Sequence, residues 1–184
     1  MLNALFERSI RATERQVGES ADWLREVLKS SRGAFIKFGL FMPLAKHRLS
    51  APLELWHVAR IATNAAEDCG PCLNITVRHA LAEGVDRRLV AAAARGDLDA
   101  LPLSAARVWR YARAVVEADP EAAALGDAVA DEIGRDGLVE LALAIATVRV
   151  FPTMKRALGY ARSCSLTPLA LPEAATEDKV VHAA

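Results

Sequence analysis

Apolar residues recur along most of this chain at spacings of three and four, the period of a helix with one face turned inward. Leu2 to Gln16 reads as a first helix, broken by Gly18 and Ser20. Ser20 then caps a second, from about Ala21 to Ser31. Ala34 to Arg48 is an apolar segment carrying Phe35, Phe38, Leu40 and Phe41, with Pro43 set to kink or end it. Ser50, Pro52 and Glu54 open a helix reaching to about Glu67, in which Leu55, Val58, Ile61, Ala62 and Ala65 share one face. Pro71 starts the next, which stops at Gly84, and Asp86 to Arg95 is short and ended by Gly96-Asp97. Ser104 opens a helix with Val108, Trp109, Ala112 and Val115 on its stripe. Asp119-Pro120-Glu121 marks a stop and restart, and residues 134–137, from glycine to glycine, separate an alanine-rich helix from the last long one. In that last helix Leu138, Leu141, Ala142, Ile145 and Val148 point one way, and Pro152 bends it near the middle.

No stretch alternates with the period of two that a strand would need, so the pattern predicts an all-α, single-domain helical bundle. Residues 1–32 form an N-terminal helical extension with no assigned role, 33–164 the helical core, and 165–184 a polar tail with Pro168 and Pro172. Composition agrees: alanine inflates the hydrophobic fraction, and only 5% of residues are aromatic, which suits closely packed helices. Charge narrows the function. With 23 basic and 23 acidic residues in balance, no basic patch for a nucleic acid can be read. Glu7 and Arg8 interrupt the N-terminus where an export signal would be apolar, and residues 34–45 are too few to cross a bilayer. A cytoplasmic protein without a membrane partner is the expectation.

The candidate chemistry lies in Ala65 to His79, AAEDCGPCLNITVRH. Cys69 and Cys72 flank Gly70-Pro71, so the second thiol enters a helix at its first turn, where the macrodipole favours thiolate. Two thiols one turn apart can close into a disulfide and be reduced again. Cys72, Thr76 and His79 fall on one helical face. Thr76 is within reach of the Cys72 sulfur, whereas His79 is about 10 Å further along the axis. Glu67 stands at the entrance to the turn, and His57, on the preceding helix, faces the site if the two helices pack together. A zinc site would need two further ligands, for which His57 and His79 are the nearest histidines. Cys164, between serines, reads as a structural thiol, and Trp56, Trp109 and Tyr160 as core or subunit contacts.

The order of these elements, with Cys69-x-x-Cys72 opening a helix and a terminal helix ending Lys155-Arg156-Ala157-Leu158-Gly159-Tyr160-Ala161, resembles the alkylhydroperoxidase-D-like branch of the carboxymuconolactone decarboxylase superfamily. The resemblance covers roughly Ala34 to Cys164, and the cysteine box is its one sharp motif. It implies an all-helical subunit assembling into trimers or hexamers, with a dithiol that reduces peroxides, needs no cofactor, and is re-reduced by a disulfide partner protein. It further implies that Cys72 is attacked by peroxide and that Cys69 resolves the sulfenic acid. The family's proton relay is altered here: the position of its histidine, four residues after the second cysteine, holds Thr76. The position of its acid, about twelve before the first, holds His57. His57 and Glu67 are then the expected bases. The decarboxylase branch lacks the cysteine pair, so the box speaks against that chemistry. The expectation is therefore a dithiol peroxidase or disulfide reductase acting on a peroxide or a small disulfide, and the alternative is a helical oligomerisation or binding module with weak or lost redox activity.

Overall fold

The computed structural model describes residues 2–67 and 69–160, and within them every regular element is helical. Asp68, Cys164 and the tail from 165 on lie outside the described residues. The helices are α1 (Leu2–Val17), α2 (Asp22–Ser30), α3 (Arg32–Ala45), α4 (Leu53–Ala66) and α5 (Gly70–Ala82). They continue as α6 (Arg87–Arg95), α7 (Leu103–Glu117), α8 (Ala122–Val148) and α9 (Val150–Ala157), with a single 3₁₀ turn at Leu98–Ala100.

Helix α4 is the centre of the bundle and packs against α5, α6, α7 and α8. Its Val58, Ala59, Ile61 and Ala62 are fully buried, on a core shared with Val90 of α6, Val108 and Ala112 of α7, and Leu141 and Ile145 of α8. Small residues on these faces let the backbones come close, so the alanine content serves packing as much as helix propensity. The stretch Ala122–Ala157 has the length and hydropathy of a membrane span, but its Leu141, Ala144, Ile145 and Val148 belong to this buried interior.

Local chemistry explains most of the boundaries. Asp86 caps α6 by accepting from the Arg88 and Leu89 amides (2.8 and 3.0 Å), and Gly96 ends it at φ +70° with Trp109 against its Cα. Pro43 lies in the last turn of α3, so it ends that helix and does not kink it. Pro152 has no N–H to offer Val148, and the long helix accordingly breaks one turn earlier, at Arg149, rather than at the proline. Gly134 (φ +78°, ψ 165°) is a non-helical break inside α8, within the glycine-bounded segment expected to divide it.

The starts of α2 and α4 differ from expectation: Ala21, not Ser20, is the N-cap residue of α2. Ser50 does not cap α4: Pro52 takes that position, and the turn before it is held from across the bundle. There the carboxylate of Glu140, buried on α8, accepts from the amides of Leu49 (2.9 Å), Ser50 (2.9 Å) and Ala51 (2.8 Å). Burial pushes the Glu140 pKa up, but the three amide donors outweigh it and leave it lowered. The first two helices are also more than an extension. Arg78 of α5 donates to the Val17 carbonyl (3.0 Å) against Gly18, and Phe6–Phe35, Trp23–Phe38 and Phe38–Phe151 ring contacts tie α1, α2, α3 and α9 together. Arg25 fastens α2 to α1 through Glu7 and Glu14.

Candidate active site

Helix α5 begins at Gly70, with Cys69 as its N-cap residue and Pro71 in its first turn. The Leu73 amide donates to the Cys69 carbonyl (2.9 Å), closing the first helical ring across the box. Proline's missing N–H costs nothing there, because first-turn amides have no partner inside the helix. The Cα atoms of Cys69 and Cys72 are 5.3 Å apart and their sulfurs are joined as a disulfide. Both residues are buried, at 3% and 5% exposure.

They are nonetheless unequal. Beside α5 runs a cavity of about 490 Å³, and Cys72 lines it while Cys69 does not. The α5 wall consists of Cys72, Ile75, Thr76, His79, Ala82 and Glu83, one face of the helix over roughly 16 Å at 1.5 Å per residue. Helix α4 contributes Trp56, Arg60 and Asn64, again one face. The remaining wall is largely apolar, with Ile10, Trp23, Leu24, Phe35, Phe38 and Phe151 from α1, α2, α3 and α9. The N-terminal helices, given no role by the sequence, therefore roof the space over Cys72.

The other sequence candidates fall into three groups. Thr76 is next to Cys72, but its hydroxyl donates to the Cys72 carbonyl (3.1 Å), not to the sulfur. It accepts in turn from Asn64 Nδ2 (2.6 Å), which also points at the Cys72 carbonyl (3.4 Å). Asn64, 2% exposed, is a site residue that sequence reading missed. The available signal was its position one turn beyond Arg60 on the α4 face turned to α5.

Glu67 adjoins the box, yet both carboxylate oxygens are occupied, Oε1 by Arg149 (2.6 Å) and Oε2 by Arg156, while Arg156 also holds the Glu67 carbonyl (2.9 Å). Burial raises its pKa, and the Arg156 and Arg149 hydrogen bonds together more than reverse this, so Glu67 stays ionised. That arrangement suits an anchor between α4 and the α8–α9 break better than a base.

His57 is not brought to the sulfurs. It is fully buried, with Nε2 donating to Glu83 Oε2 (3.1 Å) just past the far end of α5, eleven residues and roughly 16 Å beyond Cys72. Burial outweighs that bond and the Arg60 charge adds to it, pushing His57 down to about 4 and leaving the ring neutral at pH 7. His79 does line the cavity, two turns from Cys72, and its pKa is lowered by burial first and by Arg60 and Lys46 beyond that. Arg60 stacks on Trp56, its guanidinium carbon 4.3 Å from the ring centroid. Burial lowers it to about 10, so it remains a cation.

Among the described residues no group of three or more His, Cys, Asp or Glu side chains is placed to hold a metal ion. What the site brings together is a joined pair of sulfurs and, through Cys72, a largely apolar chamber. No protein-family model, no curated protein and no solved structure matches this chain.

Proposed function

We propose that the protein is a dithiol peroxidase, acting on organic hydroperoxides through Cys72 and Cys69, in the manner its resemblance to the alkylhydroperoxidase-D-like branch implies. The observation that carries this reading is the asymmetry of the cysteine pair: the sulfurs are joined, and Cys72 lines the cavity beside α5 while Cys69 does not. In the reduced protein the Cys72 thiolate, at the positive end of α5, attacks the outer oxygen of ROOH. The O–O bond breaks, an S–O bond forms, and the alkoxide leaves as ROH after taking a proton. The Cys69 thiol then attacks the sulfenic acid sulfur, the S–O bond breaks, and the Cys69 proton departs with the hydroxyl as water. Two electrons pass from the thiols to the peroxide, and a dithiol reductant, by expectation a partner protein, returns them.

His79 is the imidazole on the cavity wall and, being neutral at pH 7, can take the Cys72 proton through solvent in the chamber. Its distance along α5 excludes a direct bond. The exposed stripe Ile36, Leu40 and Leu44 on α3 supports assembly into a homo-oligomer, a trimer or hexamer by the resemblance.

One feature favours a second reading, a binding module with weak redox activity. Thr76 holds the relay position, and its hydroxyl is committed to the Cys72 carbonyl. The two are separated by measuring loss of tert-butyl hydroperoxide with a dithiol reductant. The wild type is expected to turn over, Cys72→Ser to fall to the uncatalysed background, and Cys69→Ser to consume one equivalent and stop as a trappable sulfenic acid. Equal rates for wild type and Cys72→Ser would eliminate the peroxidase assignment.

A further inference from the structure

The polar groups on the cavity wall are of unusual kind: an indole N–H and an imidazole nitrogen without partners at one place, and an acceptor without a donor at another. Trp56 Nε1 and His79 Nε2 are buried and have no hydrogen-bond partner among the described residues. Arg60, between them in the cavity lining, makes no hydrogen bond or ion pair among the described residues beyond its stacking on Trp56. The carboxylate of Glu83, on the same wall, accepts from the neutral His57 and acts on Arg60 and His79 only through its charge, with no hydrogen bond or ion pair to either. Lys46, at the end of α3, adds positive charge near His79. An indole N–H and a guanidinium can only donate. Leaving the Trp56 and His79 nitrogens unpaired away from water costs about 1–3 kcal/mol each, so the pair, with the Arg60 charge beside it, calls for an acceptor from outside. One turn further along α4, Asn64 Oδ1 is buried without a donor, beside Thr76 and the Cys72 backbone.

From this arrangement we infer that the cavity binds an aliphatic monocarboxylic acid, its carboxylate on Arg60, Trp56 and His79 and its apolar body against Phe35, Phe38 and Trp23. A planar carboxylate offers two acceptor oxygens to a guanidinium fork, with more strength and direction than a neutral acceptor. The chamber of about 490 Å³ falls in the range of small-molecule sites, roughly 300–1,000 Å³. The inference deepens the peroxidase reading, on which its substrate clause rests: the substrate class becomes hydroperoxy acids. A hydroperoxide O–H on the same molecule supplies the donor that Asn64 Oδ1 lacks, one to two helical turns or about 6–10 Å from the carboxylate clamp. That contact sets the O–O bond beside Cys72 and leaves the thiol step as already balanced.

The test separates binding from chemistry. Titration calorimetry with sodium decanoate and with decanol is run on Cys72→Ser protein, which has no reactive sulfur at the cavity wall. Decanoate is expected to bind saturably and at least about tenfold more tightly than decanol. Arg60→Met, which keeps the stem over Trp56, should erase that preference while leaving decanol binding in place. A decanoate affinity no better than decanol's, or no saturable binding by either, overturns the inference even if peroxidase activity is intact, and it does so without relying on the variant. Conversely, selective decanoate binding by a protein inactive toward peroxides would preserve the acid site and remove only its substrate clause.

Discussion

Two arginine sites in this molecule differ in a way that separates structure from function. At the N-terminal end of α5, Arg149 and Arg156 close on Glu67, so that both guanidinia and the carboxylate are paired. Along the cavity wall, Arg60 stacks on Trp56 and among the described residues forms no ion pair, feeling only the charge of Glu83, and polar atoms of Trp56, His79 and Asn64 without partners there accompany it. Satisfied groups of the first kind, with the Glu140 clamp as a further example, hold elements together. Unsatisfied groups of the second kind reduce stability while they lack a partner, which is the ground on which we assign them to a ligand.

The sharpest break of that contrast is at Glu140. Glu140→Ala strands three backbone N–H groups between α3 and α4 and should cost about 3 kcal/mol in denaturant unfolding. The peroxide rate per folded molecule should stay within about twofold, since the clamp lies outside the cavity lining.

His57 belongs to both kinds, its Nε2 paired and its Nδ1 not, and it ought to show this as a pH dependence. Its pKa is about 4 when folded and 6.5 as the ordinary value, so the unfolded chain binds more protons between the two. Stability is therefore complete above pH 6.5 and falls as pH drops toward 4, by about 3 kcal/mol from this group. His79, lowered by the same burial, adds to that limb, whereas Glu140 and Glu67, held below 4.5, act only at more acid pH. Melting curves of His57→Gln across pH 4–7 should be flatter than the wild type's; an unchanged slope would mean that the imidazole is not buried neutral.

At Glu67 the expected loss is smaller, about 2 kcal/mol for Glu67→Gln, because Arg149 and Arg156 are partly exposed and regain water. Peroxide turnover should survive, and alkylation of reduced Cys72 should quicken as two guanidinia lose their counter-charge beside the box. Abolished turnover with a stable fold would instead make Glu67 the base.

The smallest effect is expected at His79, where His79→Leu replaces an unpaired imidazole by an apolar side chain. Stability should hold or rise by up to about 1 kcal/mol while hydroperoxide turnover falls. A clear destabilisation would show that this nitrogen is not idle in the resting protein.

How far the sequence went depends on the range of each signal. Asp86, Gly96 and the proline of the cysteine box act on amides a few residues away, so they could be read directly, as could the glycine-bounded break in α8. Pro43 ends α3, one of the two outcomes expected of it, whereas Pro152 was read as a breaker but placed a turn late, since the bond that a proline forfeits lies on its N-terminal side. Glu140 acts on residues about ninety positions distant, and nothing local to either segment announces the contact. Glu67, His57 and Asn64 share this limitation. The helical face each occupies is legible, but whether that face meets an arginine, a glutamate or a cysteine depends on how antiparallel helices are set against one another. The antiparallel run of α4 and α5 alone carries His57 to the wrong end for the sulfurs and Asn64 to the right one.

The roof over the chamber has a consequence for what the sulfur chemistry can reach. Because α1, α2 and α3 line it with Ile10, Trp23, Phe35 and Phe38, outside the core centred on α4, selection among oxidants in the proposed peroxidase would reside in a part of the molecule that the thiols do not need for their own reactivity. Changes in those helices would retune which molecules gain admission while the electron exchange beneath them stays the same, so that screening and catalysis can diverge independently within one chain.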